Sequence, residues 1–174
     1  MKKFGILFFA FVLMLTACNA KPPLPIVNEP SPSAQTLTPI SWTWKAEPLG
    51  NGEYKLVFTA KVDPKWHTYS QFIGDGGPVP TSVAFDKTNK DVQLNGKPTE
   101  TGTKMHSGHD VVFDMELKYF ENDMVIEQKV KVLKDTKFKG TLEFMACDDK
   151  SCLPPVDKDF VFDLKAGGDT QKKN

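Results

Sequence analysis

Between Tyr54 and Val62 every second residue is apolar: Tyr54, Leu56, Phe58, Ala60 and Val62. A period of two places these five side chains on one face of an extended strand, and no helix can gather them. The same alternation runs through Ile40, Trp42, Trp44 and Ala46, and through Val111, Phe113, Met115, Leu117 and Tyr119. It returns in Leu142, Phe144 and Ala146 and in Phe160, Phe162 and Leu164, with Thr81–Phe85 and Met124–Leu133 as shorter candidates. A strand with one apolar face must pair with neighbours and cover that face with a second layer. Turn residues punctuate the runs at Gly50-Asn51-Gly52 and Glu121-Asn122-Asp123, which predicts an antiparallel all-β domain. Roughly eight or nine strands in about 125 residues fit an immunoglobulin-like antiparallel β-sandwich better than a small barrel. Trp42, Trp44 and Trp66 read as packing residues of that sandwich. No amphipathic helix and no internal repeat stands out.

The ends of the chain follow other rules. Lys2-Lys3, an apolar run from Phe4 to Leu15 and small residues before Cys18 predict a secretory signal peptide over 1–17. Leu15-Thr16-Ala17-Cys18 resembles the bacterial lipobox, which implies cleavage before Cys18 and lipid on its sulfur and new amino group. Asn19 follows, not aspartate, so the rule for inner-membrane retention is not met and the choice of membrane stays open. Prolines at 22, 23, 25, 30, 32 and 39 make 18–39 a lipidated N-terminus and proline-rich tether. Polyproline geometry, at ~3 Å per residue, would hold the folded part some tens of ångströms from the bilayer. The expected folded domain is 40–165, and 166–174 is expected to be a flexible tail. Together these place the protein in a bacterial cell envelope, lipid-anchored and facing the periplasm.

Charge removes some functions. The chain has 22 basic and 22 acidic residues, and loss of Lys2 and Lys3 leaves 20 against 22. None of the basic residues is arginine, so there is neither a bidentate fork nor a basic patch for nucleic acid.

With Cys18 assigned to lipid, Cys147 and Cys152 remain as a close pair in an exported chain, where disulfides persist. In the hairpin reading, the strand ending at Cys147 turns through Asp148-Asp149-Lys150-Ser151 and re-emerges at Cys152. Residues facing each other across a hairpin lie about 5 Å apart at Cα, within the span of a disulfide. As a staple the bond is modest, since closing a loop of about six residues contributes roughly 2 kcal/mol. Staple and redox couple both stay open at this level. Lys150 favours a thiolate, whereas Asp148 and Asp149 oppose one. Without Cys-x-x-Cys spacing or a helix N-terminus, a thiol here would be activated by its partner or attacked while oxidised. His67 and His106 are the imidazoles available as a general base.

Two other classes stand beside the redox reading. Met105, His106, His109, Met145 and the cysteines are soft or borderline ligands that suit copper, although His106-x-x-His109 is a weak spacing. A lipid-anchored adaptor with a merely structural Cys147–Cys152 bond is the third. No cofactor is called for.

The run from Cys147 to Cys152-Leu153-Pro154-Pro155, followed by Phe160-Val161-Phe162, resembles the N-terminal periplasmic domain of the DsbD protein-disulfide reductases. Trp66-His67-Thr68-Tyr69-Ser70-Gln71 and Gly77-Pro78-Val79-Pro80-Thr81 resemble the strand and loop that precede the site there. The resemblance spans 40–165 and implies an immunoglobulin-like domain working in thiol–disulfide exchange as part of a reductase, with a role in cytochrome c biogenesis among its outlets. It implies a reduced pair that receives electrons from a thioredoxin-like donor, fed through a DsbD-type membrane reductase, and passes them to oxidised periplasmic thiol proteins. Cys152 would form the mixed disulfide and Cys147 resolve it. Tyr69 matches a tyrosine packed near the family's pair, and a loop capping the cysteines would fall near Lys104–Gly108, making Met105 and His106 possible lining residues. Two departures stand out: the cysteine spacing is one residue shorter than in the best-known members, and the family's acidic and aromatic cap residues are not reproduced. Neither the membrane module nor the thioredoxin-like domain lies within these residues, so the expectation is work in trans with separate proteins.

Overall fold

Alternation of apolar and polar residues becomes alternation of burial in β2 (Glu53–Val62), where Tyr54, Leu56, Phe58, Ala60 and Val62 are all buried. The computed structural model describes residues 38–167, and these hold eleven strands and no helix. The calls for a signal peptide, for Cys18 lipidation, for nearly all of the tether and for most of the tail lie outside the described residues.

The first sheet has the order β1–β2–β8–β5, built from β1 (Ile40–Gly50), β2, β8 (Asp123–Val132) and β5 (Val92–Thr101). The second has the order β11–β9–β4, from β11 (Val156–Leu164), β9 (Thr136–Phe144) and β4 (Ser82–Phe85). All pairings are antiparallel. One apolar core joins the inner faces: Leu56, Phe58, Met124 and Ile126 from the first sheet meet Phe138, Leu142, Phe160 and Leu164 from the second. Phe58 sits edge-on to Phe160 and Phe162, with ring centroids 4.9 and 5.6 Å away. Trp42 is buried and Trp44 and Trp66 pack at the margin of this core. The fold is the expected immunoglobulin-like antiparallel sandwich.

A third sheet carries the site. Its order is β10–β3–β7–β6, from β10 (Ala146–Cys147), β3 (His67–Tyr69), β7 (Met115–Glu121) and β6 (Lys104–Asp110). Ala146, Thr68 and Phe120 stand opposite one another in register, and Ala146 and Phe120 belong to the main core. This face therefore fastens the third sheet to the sandwich, and alternation turns Cys147, His67, Tyr69 and Tyr119 to the other face. The chain leaves the second sheet for the third at Met145, whose carbonyl accepts a hydrogen bond from the Thr68 hydroxyl at 3.0 Å. Beyond β3, the Glu100 carboxylate, only 2% exposed, accepts from the Ser70 hydroxyl and the Gln71 N–H and pairs with Lys118 at 2.9 Å. A buried charge held by three donors fixes how the chain leaves Tyr69.

Three expectations need correction. The alternation carries a strand back to Val111, but Val111–Asp114 form the turn between β6 and β7, where Val111 and Val112 are 86% and 82% exposed. Asp110 holds that turn, its carboxylate accepting from the N–H groups of Val112 (2.8 Å) and Phe113 (3.0 Å). Lys104–Gly108 is not a loop but part of β6, paired along β7. Strands β5 and β6 carry no apolar alternation and were not anticipated. β5 is a sheet edge interrupted by a bulge between Asn95 and Thr99, where Gly96 adopts φ +75°. The buried Gln128 amide donates to the Gly96 carbonyl at 3.2 Å, satisfying an acceptor that the bulge frees from the ladder.

Candidate functional site

Asp148 makes the hairpin. Its carboxylate accepts from the N–H groups of Lys150 (2.9 Å) and Ser151 (2.7 Å), closing a tight side-chain-to-backbone turn. Those two donors hold the Asp148 pKa below its ordinary value. Behind the turn, the Asp148 N–H donates to the Ser151 carbonyl and the Leu153 N–H to the Ala146 carbonyl, at 2.9 and 2.8 Å. These bonds flank the Cys147–Cys152 bridge, so the cysteines occupy a non-hydrogen-bonded position of the ladder. Cα atoms lie closest at such positions, and here they are 4.0 Å apart and joined by a disulfide. The hairpin anticipated from the sequence is present, with a shorter Cα separation than the 5 Å expected.

The two sulfurs live in different surroundings. Cys147 is 1% exposed and packs with Tyr69, Leu117 and Phe113, whereas Cys152 lies exposed at the return of the hairpin. Over the bond opens a recess of about 460 Å³. His67, Tyr69 and Tyr119 form one side of it, Asp110, Val112 and Phe113 another, and the cysteine hairpin the third.

Cross-strand register assembles the aromatic side. His67 stands opposite Cys147, Tyr69 opposite Tyr119, and Tyr119 opposite His106. The Tyr69 hydroxyl and His67 Nε2 are hydrogen-bonded at 3.2 Å, and the His67 ring lies 4.6 Å from that of Tyr119. Burial, with a smaller contribution from Asp110, pushes the Tyr69 phenol up to about 12, so it stays protonated. Burial likewise raises Tyr119. It lowers His67, because the charged imidazole is the form that loses solvation, while Glu121 works in the opposite direction. Glu121 itself is held low, first by its hydrogen bond from Lys104.

Of the residues singled out from the sequence, Cys147, Cys152, Tyr69 and His67 come together at this recess. Met105 and His106 do not line it. Met105 is half exposed on β6, and His106 stacks on Tyr119 (4.8 Å, 16° between planes) with Nε2 2.9 Å from Glu121. Asp110, Val112 and Phe113 of the next turn line the recess instead. Tyr119 and that turn were missed as site residues. Asp110 and Asp114, polar residues at either end of a short apolar stretch, were the available signal. His109 faces Asp114 at 3.3 Å, away from the thiols. No three His, Cys, Asp or Glu side chains gather to hold a metal ion among the described residues.

Comparison with known proteins gives a family. The model of the family described as "Thiol:disulfide interchange protein DsbD, N-terminal" matches residues 34–164. Among solved structures, the N-terminal periplasmic domain of ScsB from Proteus mirabilis superposes with a TM-score of 0.50 at 15% identity. That match covers 74% of this chain and 47% of the ScsB chain, about half its length. The reduced DsbD N-terminal domain of Neisseria meningitidis gives 0.46 at 14% identity, over 70% of this chain and 85% of that one. A complex between the DsbD and PilB N-terminal domains of the same organism gives 0.44 at 13%, over 69% and 80%. No curated protein sequence matches.

Proposed function

This chain belongs to the DsbD N-terminal family, which is involved in thiol–disulfide exchange, and from that premise we propose that Cys147 and Cys152 are its redox-active pair. The observation that carries the proposal is the asymmetry of the bond: one cysteine is exposed and the other buried beside a recess. Thiol–disulfide exchange needs a thiolate to reach a sulfur, and access decides which sulfur is attacked. A partner thiolate attacks Cys152 Sγ, the Cys147–Cys152 bond breaks, and its electron pair leaves on Cys147. The partner's second thiol then attacks the mixed disulfide and frees Cys152, so the pair is reduced and the partner oxidised. Run in reverse towards an oxidised protein, Cys152 attacks and Cys147 resolves. Electrons would thus come from a thioredoxin-like donor linked to a membrane reductase and go to oxidised periplasmic proteins, cytochrome-maturation factors among them.

The recess suits that traffic. Val112 and Phe113 line the recess with the two cysteines, so a partner that reaches into it meets the Asp110–Phe113 turn. We place this domain, 40–165, on the periplasmic side of the envelope, held by lipid on Cys18 through the tether at 18–39 after removal of 1–17. On this reading the domain acts as a thiol–disulfide oxidoreductase in its own right.

Trapping tests the proposal. In the full chain, Cys147→Ala removes the resolving thiol, so Cys152 should accumulate a mixed disulfide with a thioredoxin-like or oxidised envelope protein after acid quenching. Cys152→Ala should trap far less, because the remaining thiol is buried. Equal trapping by both variants, or by neither, refutes the assignment.

A further inference from the structure

Exchange leaves one chemical need unmet. When Cys147 departs as a thiolate it does so at 1% exposure, beside a hairpin that carries Asp148 and Asp149. A thiolate buried among apolar side chains and near carboxylates is disfavoured, and the reverse step requires that same sulfur to lose its proton before attacking. Something within the recess must take and return a proton.

We propose that His67 is the proton-transfer partner of Cys147. This rests on the redox reading of the pair and adds a residue to it. The register places His67 directly opposite Cys147, so their side chains emerge on the same face of adjacent strands, where Cβ atoms lie about 5 Å apart. Both line the recess. Of the side-chain types around it, imidazole alone ordinarily titrates near neutrality. Its Nε2 is engaged by Tyr69, and Nδ1 has no hydrogen-bond partner among the described residues. Burial keeps the ring in its neutral, proton-accepting form.

The proton bookkeeping closes without a further reactant. As Cys147 attacks Cys152 Sγ in a mixed disulfide, the neutral imidazole takes the thiol proton, the Cys147–Cys152 bond forms and the partner leaves as a thiolate. As a partner thiol opens the bond it gives up its own proton in becoming the attacking thiolate, and the ring takes up that proton and passes it to Cys147. The ring's surroundings bear on its titration from each side. Across β7 lie Tyr119 and Glu121, and β6 adds His106 and Lys104, which binds Glu121. Asp148, Asp149 and Lys150 face it from the hairpin and Asp110 from the turn. Glu121 is the anion that bears most on His67 and favours the imidazolium.

Two measurements on the full chain decide the matter. In reduced protein carrying Cys18→Ser and Cys152→Ser, thiolate absorbance at 240 nm follows Cys147 alone. Adding His67→Gln or His67→Phe, the latter preserving an aromatic ring against Tyr119, should move its appearance upward by at least one pH unit. Then, with reduced thioredoxin as probe, oxidised His67→Gln and His67→Phe should be reduced at least tenfold more slowly at pH 7, within the range of general acid–base effects. His109→Gln, exposed on β6, should match the parent. Unchanged Cys147 titration overturns the proposal. So does a parental rate and pH profile in both variants, while leaving the redox reading intact. If the parent itself does not react with thioredoxin, the redox reading fails and takes the proposal with it.

Discussion

Reducing the Cys147–Cys152 bond should loosen the domain without unfolding it. The bond closes a loop with a sequence separation of five. Applied to about six residues, the chain-entropy relation gives roughly 2 kcal/mol at 25 °C. The main core contains neither cysteine: Phe58, Phe120, Ile126, Leu142, Phe160 and their neighbours pack independently of the bond. Cys147 contributes instead to the small cluster with Tyr69 and Leu117. A domain with a typical stability of about 5–15 kcal/mol tolerates a loss of that size. Urea unfolding of the oxidised and reduced protein, followed by intrinsic tryptophan fluorescence, should show a lower midpoint, an unchanged slope and a difference of about 2 kcal/mol. In a thermal scan this corresponds to a fall of roughly 5–10 °C. Loss of the cooperative transition on reduction, or a difference above about 4 kcal/mol, would show that the bond is a structural staple and refute the reasoning. A pair that cycles between thiol and disulfide cannot be the element that holds its own domain together.

Other consequences follow from how the third sheet is attached. Phe120→Ala, at a fully buried position joining β7 to the main core, should cost about 3–5 kcal/mol in urea unfolding and slow reduction of the disulfide by thioredoxin. Gly140→Ala should destabilise although the change is small, because a Cβ there meets the Ala84 carbonyl and the Phe160 ring; a stability equal to the parent's would contradict that packing. His67 adds a pH dependence. Burial lowers its folded pKa, so below the ordinary imidazole value of about 6.5 the unfolded chain binds more protons and stability falls as pH drops towards the folded pKa. Urea midpoints measured from pH 7.5 to 5 should show a shallower slope in His67→Phe than in the parent.

The parts of the molecule visible in the sequence are those whose physics is local. β2 and β11 announce themselves because a buried face forces alternation, and the cysteine hairpin because Asp148 and the two cysteines lie within a few residues of one another. β5 and β6 were hidden for the complementary reason: neither buries a continuous face, so no period of two is imposed on them. Val111 misled because it continues the β7 pattern past the strand into an exposed turn. The recess was the least legible feature. Its sides come from His67 and Tyr69, from Asp110–Phe113, from Tyr119 and from the hairpin, brought together only by cross-strand register. Met105 and His106, expected at the site by resemblance, do not line the recess, whereas Asp110, Val112 and Phe113 do.

The central claim is that electrons pass through Cys152 while Cys147 accepts the broken bond. Mixing the oxidised chain with reduced thioredoxin, quenching in acid after increasing delays, and alkylating free thiols before peptide mass spectrometry tests it directly. The account predicts a transient adduct in which thioredoxin is linked to Cys152 and Cys147 carries the alkyl label. An adduct on Cys147, or a disulfide that persists through prolonged exposure to the dithiol, would contradict it.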